Sequence, residues 1–155
     1  MASEIERKFL VKGEFKSKAF HFTSIKQGYI SSDPSRAVRV RIEDEKGYLT
    51  IKGKSDNSGL ERYEWEREIP VEEAFELIKL CESGLIIKTR YYIREGRSLF
   101  EVDEFEGDNR GLVIAEIELS SADQEIDLPE WIGAEVTGDP RYYNSYLVRN
   151  PYSGW

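Results

Sequence analysis

Histidine, cysteine and methionine are almost absent, at one each in 155 residues. With Cys81 alone no intramolecular disulfide can form, which agrees with a reducing compartment. Serine–histidine and cysteine–histidine catalysis would both have to use His21, and nothing near it supports that role. A zinc cage of thiolate and imidazole is excluded on the same count. Glycine-rich phosphate loops are missing too: neither GxxxxGKS/T nor GxGxxG occurs, so nucleotide is not held in the P-loop or dinucleotide-fold manner. No uncharged run is long enough for a signal-peptide core or a membrane span, so a cytoplasmic protein without membrane contact is expected. A net charge of −8 argues against nucleic acid as a partner, because tracking its backbone needs a surplus of Lys and Arg.

What is present is a charged, globular chain: 39% hydrophobic, 34% charged and 12% aromatic residues, without repeat or linker. Its length fits a single domain over 1–155. Short alternating segments broken by Gly, Asp, Asn and Pro predict antiparallel strands near 4–11, 26–31, 37–43, 48–54, 61–69, 86–94, 98–105 and 112–119. One helix is expected over about 71–82, with Pro70 at its start, Glu72 and Glu73 in the first turn, and Val71, Ala74, Phe75, Ile78 and Cys81 at helical spacing. That spacing makes Cys81 a small core residue rather than a nucleophile. The tail offers a short apolar turn around Trp131 and Ile132 and a final helix from about Tyr142 to Val148.

Along the strands the signs of charge are sorted. Arg39 and Arg41 share a face, as do Lys52 and Lys54, and Lys88 and Arg90; Glu4 joins Glu6, Glu64 joins Glu66, Glu101 joins Asp103, and Glu116 joins Glu118. By alternation alone the first reading is a β-sandwich with its polar faces in water; the alternative is a closed barrel with charged faces turned into its lumen and its outer face covered. The sandwich does not account for the sorting, because a solvated face gains by interleaving opposite charges and loses by pairing like ones. Outside ligands of each sign would: a polyvalent anion for the basic pairs, and a hard divalent cation, Mg²⁺ or Mn²⁺, for carboxylates without thiolate or imidazole companions.

The run EIERK at 4–8 resembles the ExExK signature of the CYTH, or triphosphate tunnel metalloenzyme, superfamily. QGY at 27–29, RVR at 39–41, TIKGK at 50–54, RYEWE at 62–66, KTRY at 88–91, EVD at 101–103, AEIE at 115–118 and EVTGDPRYYN at 135–144 follow in the order of its small bacterial members, from end to end of the chain. The resemblance implies a mainly β fold, an eight-stranded antiparallel barrel forming a charged tunnel with a few covering helices. It implies that Lys8, Arg39, Arg41, Lys52, Lys88 and Arg90, with Arg141 from the C-terminal segment, bind a triphosphate. Glu4, Glu6, Glu64, Glu66, Asp103, Glu116 and Glu118 would hold one or two Mg²⁺ or Mn²⁺ ions, and Lys54, Arg62, Arg94 and Glu101 share the lumenal parity. The competing role for each is a partner in an ion-pair network.

A Lys–Tyr pair proposed as the base in similar enzymes matches Lys52 and Tyr29. Crowding by Arg39 and Arg41 would make the neutral Lys52 amine accessible near about pH 8. The expected activity is metal-dependent hydrolysis of a triphosphate, inorganic tripolyphosphate ahead of nucleoside triphosphates, with thiamine triphosphate a further candidate. The rivals are a class IV type adenylate cyclase and a polyphosphate-binding module without turnover. A homodimer would cover the apolar outer barrel face that so few helices leave.

Overall fold

β1 (Ser3–Val11) opens a computed structural model that describes residues 3–82 and 84–155, and it is the strand on which the sheet closes. The other strands are β2 (His21–Ser31), β3 (Arg36–Glu43), β4 (Lys46–Ser55), β5 (Glu61–Ile69), β6 (Ile86–Glu95), β7 (Ser98–Phe105), β8 (Val113–Glu118) and the short β9 (Ile132–Glu135). They run in the order β5-β4-β3-β2-β6-β7-β8-β1-β9, and β1 also pairs with β5 through Ser3↔Tyr63, Glu4↔Arg62 and Ile5↔Glu61. Eight antiparallel strands thus close a barrel, which abolishes the unpaired edges an open sheet would carry. β9 adds an outer strand against the C-terminal half of β1.

Packing decides which face of each strand turns inward. Phe9, Ile93, Phe100, Val102, Ala115 and Ile117 are buried outside the barrel beneath Phe15, Trp131 and Ile132, so the segment before β9 and β9 itself cover that side. Helix α1 (Val71–Ile78) covers another, where Ala74 packs on Val40 and Ile42 with Leu49, Ile69 and Cys81 around them. On β1, β3, β7 and β8 the apolar side packs against these outer layers, while Phe22, Ile51, Tyr63 and Ile87 stay exposed on the outside; closure of the ring turns the opposite, charged parity into the lumen. The sandwich alternative is therefore set aside.

At one end the inward positions turn apolar: Tyr29, Ala37, Ile86, Phe105 and Ile114 pack with Tyr142, Leu147 and Val148 of the C-terminal segment, which carries the short helix α2 (Asn144–Leu147) and caps that end. Three boundaries differ from the sequence expectation. β2 begins at His21, five residues early, because Phe20 and Phe22 stay exposed and hide the alternation. α1 ends at Ile78 rather than near 82, its last residues forming turns through the Leu80 and Cys81 N–H groups. β9 stands where an apolar turn was expected, drawn out by pairing Ile132 with Val11 and Glu135 with Phe9.

Candidate active site

Side chains two apart on a strand point the same way, so a closed barrel collects one parity from every strand in a single cavity. Here that cavity measures about 260 Å³. Its basic half comes from β4, β3 and β6, which bring Lys52, Arg39, Arg41, Lys88 and Arg90. Its acidic half comes from β5, β1, β8 and β7, which bring Glu64, Glu66, Glu4, Glu6, Glu116, Glu118 and Glu101. Lys8 stands within the acidic half, 3.9 Å from Glu6 and 4.0 Å from Glu116. Tyr29 also lines the cavity, at 6% exposure and opposite Arg39 in the ladder.

The cations are held by fixed acceptors. Arg39 donates to Thr50 Oγ1 (3.1 Å) and Glu66 Oε2 (3.3 Å), and its buried Nε has no partner among the described residues. Arg41 Nε donates to Gln27 Oε1 (2.8 Å), and burial together with Arg39 and Arg90 pushes its guanidinium down to about 10. Arg90 donates to both oxygens of Asp103, at 2.8 and 2.9 Å, and to Glu101 at 3.2 Å. Lys88 Nζ lies 2.7 Å from Asp103; burial, with Arg90 and Arg41 alongside, pushes its amine down to about 7 against that partner's pull. The cavity thus presents positive charge that has been desolvated in advance, a condition in which phosphate oxygens are bound strongly.

The carboxylates are the reverse case, an excess of one sign with too few partners. Burial, with Glu116 and Glu4 close by, pushes Glu6 up to about 8. Burial and Glu4 push Glu64 up to about 7, and burial and Glu4 also raise Glu118. Burial works to raise Glu4 too, but Lys52 at 2.7 Å outweighs it and holds the carboxyl down. These acids cannot all ionise without added positive charge. Their oxygen-only chemistry fits a hard divalent cation, which is taken by one or two carboxylates and phosphate oxygens rather than by a closed protein cage. Among the described residues no three acids already form such a cage.

Not every residue expected here arrives. Arg141 is exposed, bound to Asp139 at 2.9 Å and laid over the rings of Tyr142 and Trp155, because the capping segment turns it outward. Asp103 sits behind the lining at 1% exposure with its oxygens taken by Arg90 and Lys88, so it orients cations rather than facing a metal ion. A bulge in β4 between Lys52 and Ser55 takes Lys54 off the lumenal parity and leaves it exposed, and Arg94 is exposed as well. The premise for Lys52 also changes: its ammonium lies between Glu4 (2.7 Å) and Glu64 (3.4 Å), not between guanidiniums. Lys52 and Tyr29 line one cavity without a hydrogen bond between them.

Sequence reasoning missed Thr50, Glu43, Tyr92 and the cap residues Tyr143, Asn144 and Ser145, all of which line the cavity or hold its cations. Thr50 and Asn144 lie inside the stretches TIKGK and RYYN, where neutral side chains carry no charge pattern of their own.

The chain matches the model of the CYTH domain over residues 2–143. It is similar to a protein of Acetivibrio thermocellus named inorganic triphosphatase, 50% identical over 156 residues that span 100% of this chain and 99% of that protein. A Nitrosomonas europaea protein of the same name is 36% identical over 152 residues, 94% of this chain and 97% of that one. Among solved structures, the inorganic triphosphatase NE1496 aligns with a TM-score of 0.64 and 34% identity, covering 96% of this chain and 95% of that chain.

Proposed function

This chain belongs to the CYTH domain family, and on that premise we propose that it is a metal-dependent hydrolase of triphosphates that releases orthophosphate from inorganic tripolyphosphate. The observation that carries this reading is the division of one cavity into a cationic half from β3, β4 and β6 and an anionic half from β1, β5 and β8. A polyanion fits the first, and its divalent counterion, Mg²⁺ or Mn²⁺, fits the second through Glu4, Glu6, Glu64, Glu116 and Glu118, with Glu66 beside them. When bound, that ion supplies positive charge to the phosphate oxygens and completes the charge balance of the acids.

Arg39, Arg41, Lys88 and Arg90, with Lys8 opposite, hold the chain so that its terminal phosphorus presents one face to water. Fixed cations stabilise charge moving onto the leaving oxygens, and they need not reorganise because Asp103, Gln27 and Thr50 already hold them. A bond forms between water oxygen and the terminal phosphorus while the bridging P–O bond breaks, its electron pair leaving with pyrophosphate. Lys52 is the group assigned to the water proton; Tyr29 lines the same cavity, and Glu4 at 2.7 Å and Glu64 at 3.4 Å hold the Lys52 amino group in place.

The test is one substrate panel of tripolyphosphate, ATP and thiamine triphosphate with Mg²⁺ or Mn²⁺, read for orthophosphate, pyrophosphate and cyclic AMP together. Orthophosphate from tripolyphosphate with no cyclic AMP from ATP is the expected result. Cyclic AMP with pyrophosphate would make the chain a cyclase, and tight binding without any product would make it a polyphosphate-binding module.

A further inference from the structure

Asn144 has no part in the chemistry above, yet it is where the capping segment meets the cations of the cavity. Its Oδ1 accepts from Lys88 Nζ and from Gln27 Nε2, each at 2.7 Å. Gln27 Oε1 in turn accepts from Arg41 Nε at 2.8 Å. The polarity of this relay is forced from both ends. Arginine and lysine only donate, so Gln27 must turn its oxygen to Arg41 and its NH₂ to Asn144, and Asn144 must turn its oxygen to both neighbours.

Burial makes the relay matter. Gln27 is 0% exposed and Lys88 2% exposed, which leaves little room for water to replace a lost acceptor. Lys88 sits on a flexible four-carbon stem, and one anchor does not fix its direction. With Asp103 taking one proton and Asn144 a second, its remaining N–H has a defined direction. Arg41 is likewise anchored through Nε at Gln27, so its terminal nitrogens stay available to a ligand.

We propose that Asn144 is a positioning residue for the phosphate chain: by accepting from Lys88 and Gln27, it aims the Lys88 ammonium and, through Gln27, the Arg41 guanidinium into the cavity. The cap is thereby part of the binding machinery as well as a closure. This rests on the reading of the cavity as a triphosphate site.

The experiment measures tripolyphosphate affinity by calorimetry and wild-type turnover in parallel, so that the two readings fail separately. Asn144→Leu keeps the side-chain volume and removes both acceptors; Gln27→Leu breaks the relay from the wall with the cap residue intact. Thermal unfolding establishes which variants fold. Each folded variant is expected to bind tripolyphosphate about tenfold more weakly, the scale on which supporting groups usually act. In a Lys88→Ala background the Asn144→Leu loss should shrink severalfold, because half of what Asn144 holds is gone. A merely structural cap would lose the same factor in both backgrounds, and that equality would overturn the proposal. So would wild-type affinity in any folded variant. A wild-type protein that binds but does not turn over removes the hydrolase reading and leaves this one standing; no binding at all removes both.

Discussion

Lys52 and Asp103 show how the surroundings of a charged residue decide its duty. Lys52 reaches the cavity with its ammonium between Glu4 and Glu64, where it faces the space assigned to the attacking water. Lys52→Ala is expected to lower kcat on the order of a hundredfold or more, the usual worth of a positioned acid–base group. Tripolyphosphate affinity should stay near wild type, since Arg39, Arg41, Lys88 and Arg90 remain; a variant with wild-type kcat would remove Lys52 from the chemistry. Asp103, at 1% exposure, works entirely behind the surface, holding Arg90 with two hydrogen bonds and Lys88 with a third contact. Burial works to raise its pKa, but Arg90 and Lys88 outweigh that and hold it far below the usual carboxylate range. Asp103→Asn should cost about 3–5 kcal/mol of stability by leaving two buried cations short of charge. A denaturant midpoint within error of wild type would show that the pair contributes nothing to the fold.

The helix and the strands it covers set a tolerance of less than a methyl group. Gly28 lies on the outer face of β2, and a Cβ there would meet Leu85 Cδ2 at 2.8 Å, Cys81 Cβ at 2.9 Å and Cys81 Sγ at 3.0 Å. The glycine of QGY is therefore required by the turn that follows α1, not by the cavity, and Gly28→Ala should cost about 1–3 kcal/mol through overpacking. The measurement is again chemical unfolding, and an unchanged midpoint would mean that the turn after α1 shifts freely. This is also where the sequence was easiest and hardest to read. The eight barrel strands and α1 declare themselves, because apolar alternation and helical spacing are local properties. β9 does not, since four residues, IGAE, cannot show a period and become a strand only by pairing with β1. Lys54 and Arg141 satisfy in sequence the same parity and motif pattern as Lys52 and Arg90, but a bulge and an outward turn of the cap, both tertiary events, take them out of the cavity. Asn144 escaped for a related reason: a neutral amide acquires its role only when the chain brings it to Lys88, 56 positions away.

Across the molecule, the sorting of charge by strand has a thermodynamic cost that the ligand-free protein must carry. Glu6 and Glu64 are pushed from 4.5 to about 8 and about 7, so the folded state binds protons that the unfolded chain has already released. Their contribution to stability is full below pH 4.5 and is lost as pH rises through 7 and 8. Lys88 acts in the opposite sense: lowered from 10.5 to about 7, it makes the unfolded chain the better proton binder between those values, so stability recovers as pH rises there. Glu116 adds an acid limb. Burial works to raise its pKa, but Lys8 and Arg90 hold it at about 2, so the stability it contributes above pH 4.5 is lost as pH falls from there through about 2. The melting temperature of metal-free protein should therefore peak in mild acid, dip near neutrality and climb again toward about pH 10. Glu6→Gln should fill the acid side of the dip, and Lys88→Met should abolish the alkaline climb. A divalent cation competes with protons for the same carboxylates, so Mg²⁺ should raise the melting temperature more at pH 8 than at pH 5. A profile flat from pH 5 to 9, unmoved by Mg²⁺, would mean that the acids of the barrel relax into solvent and do not form the cation site assigned to them.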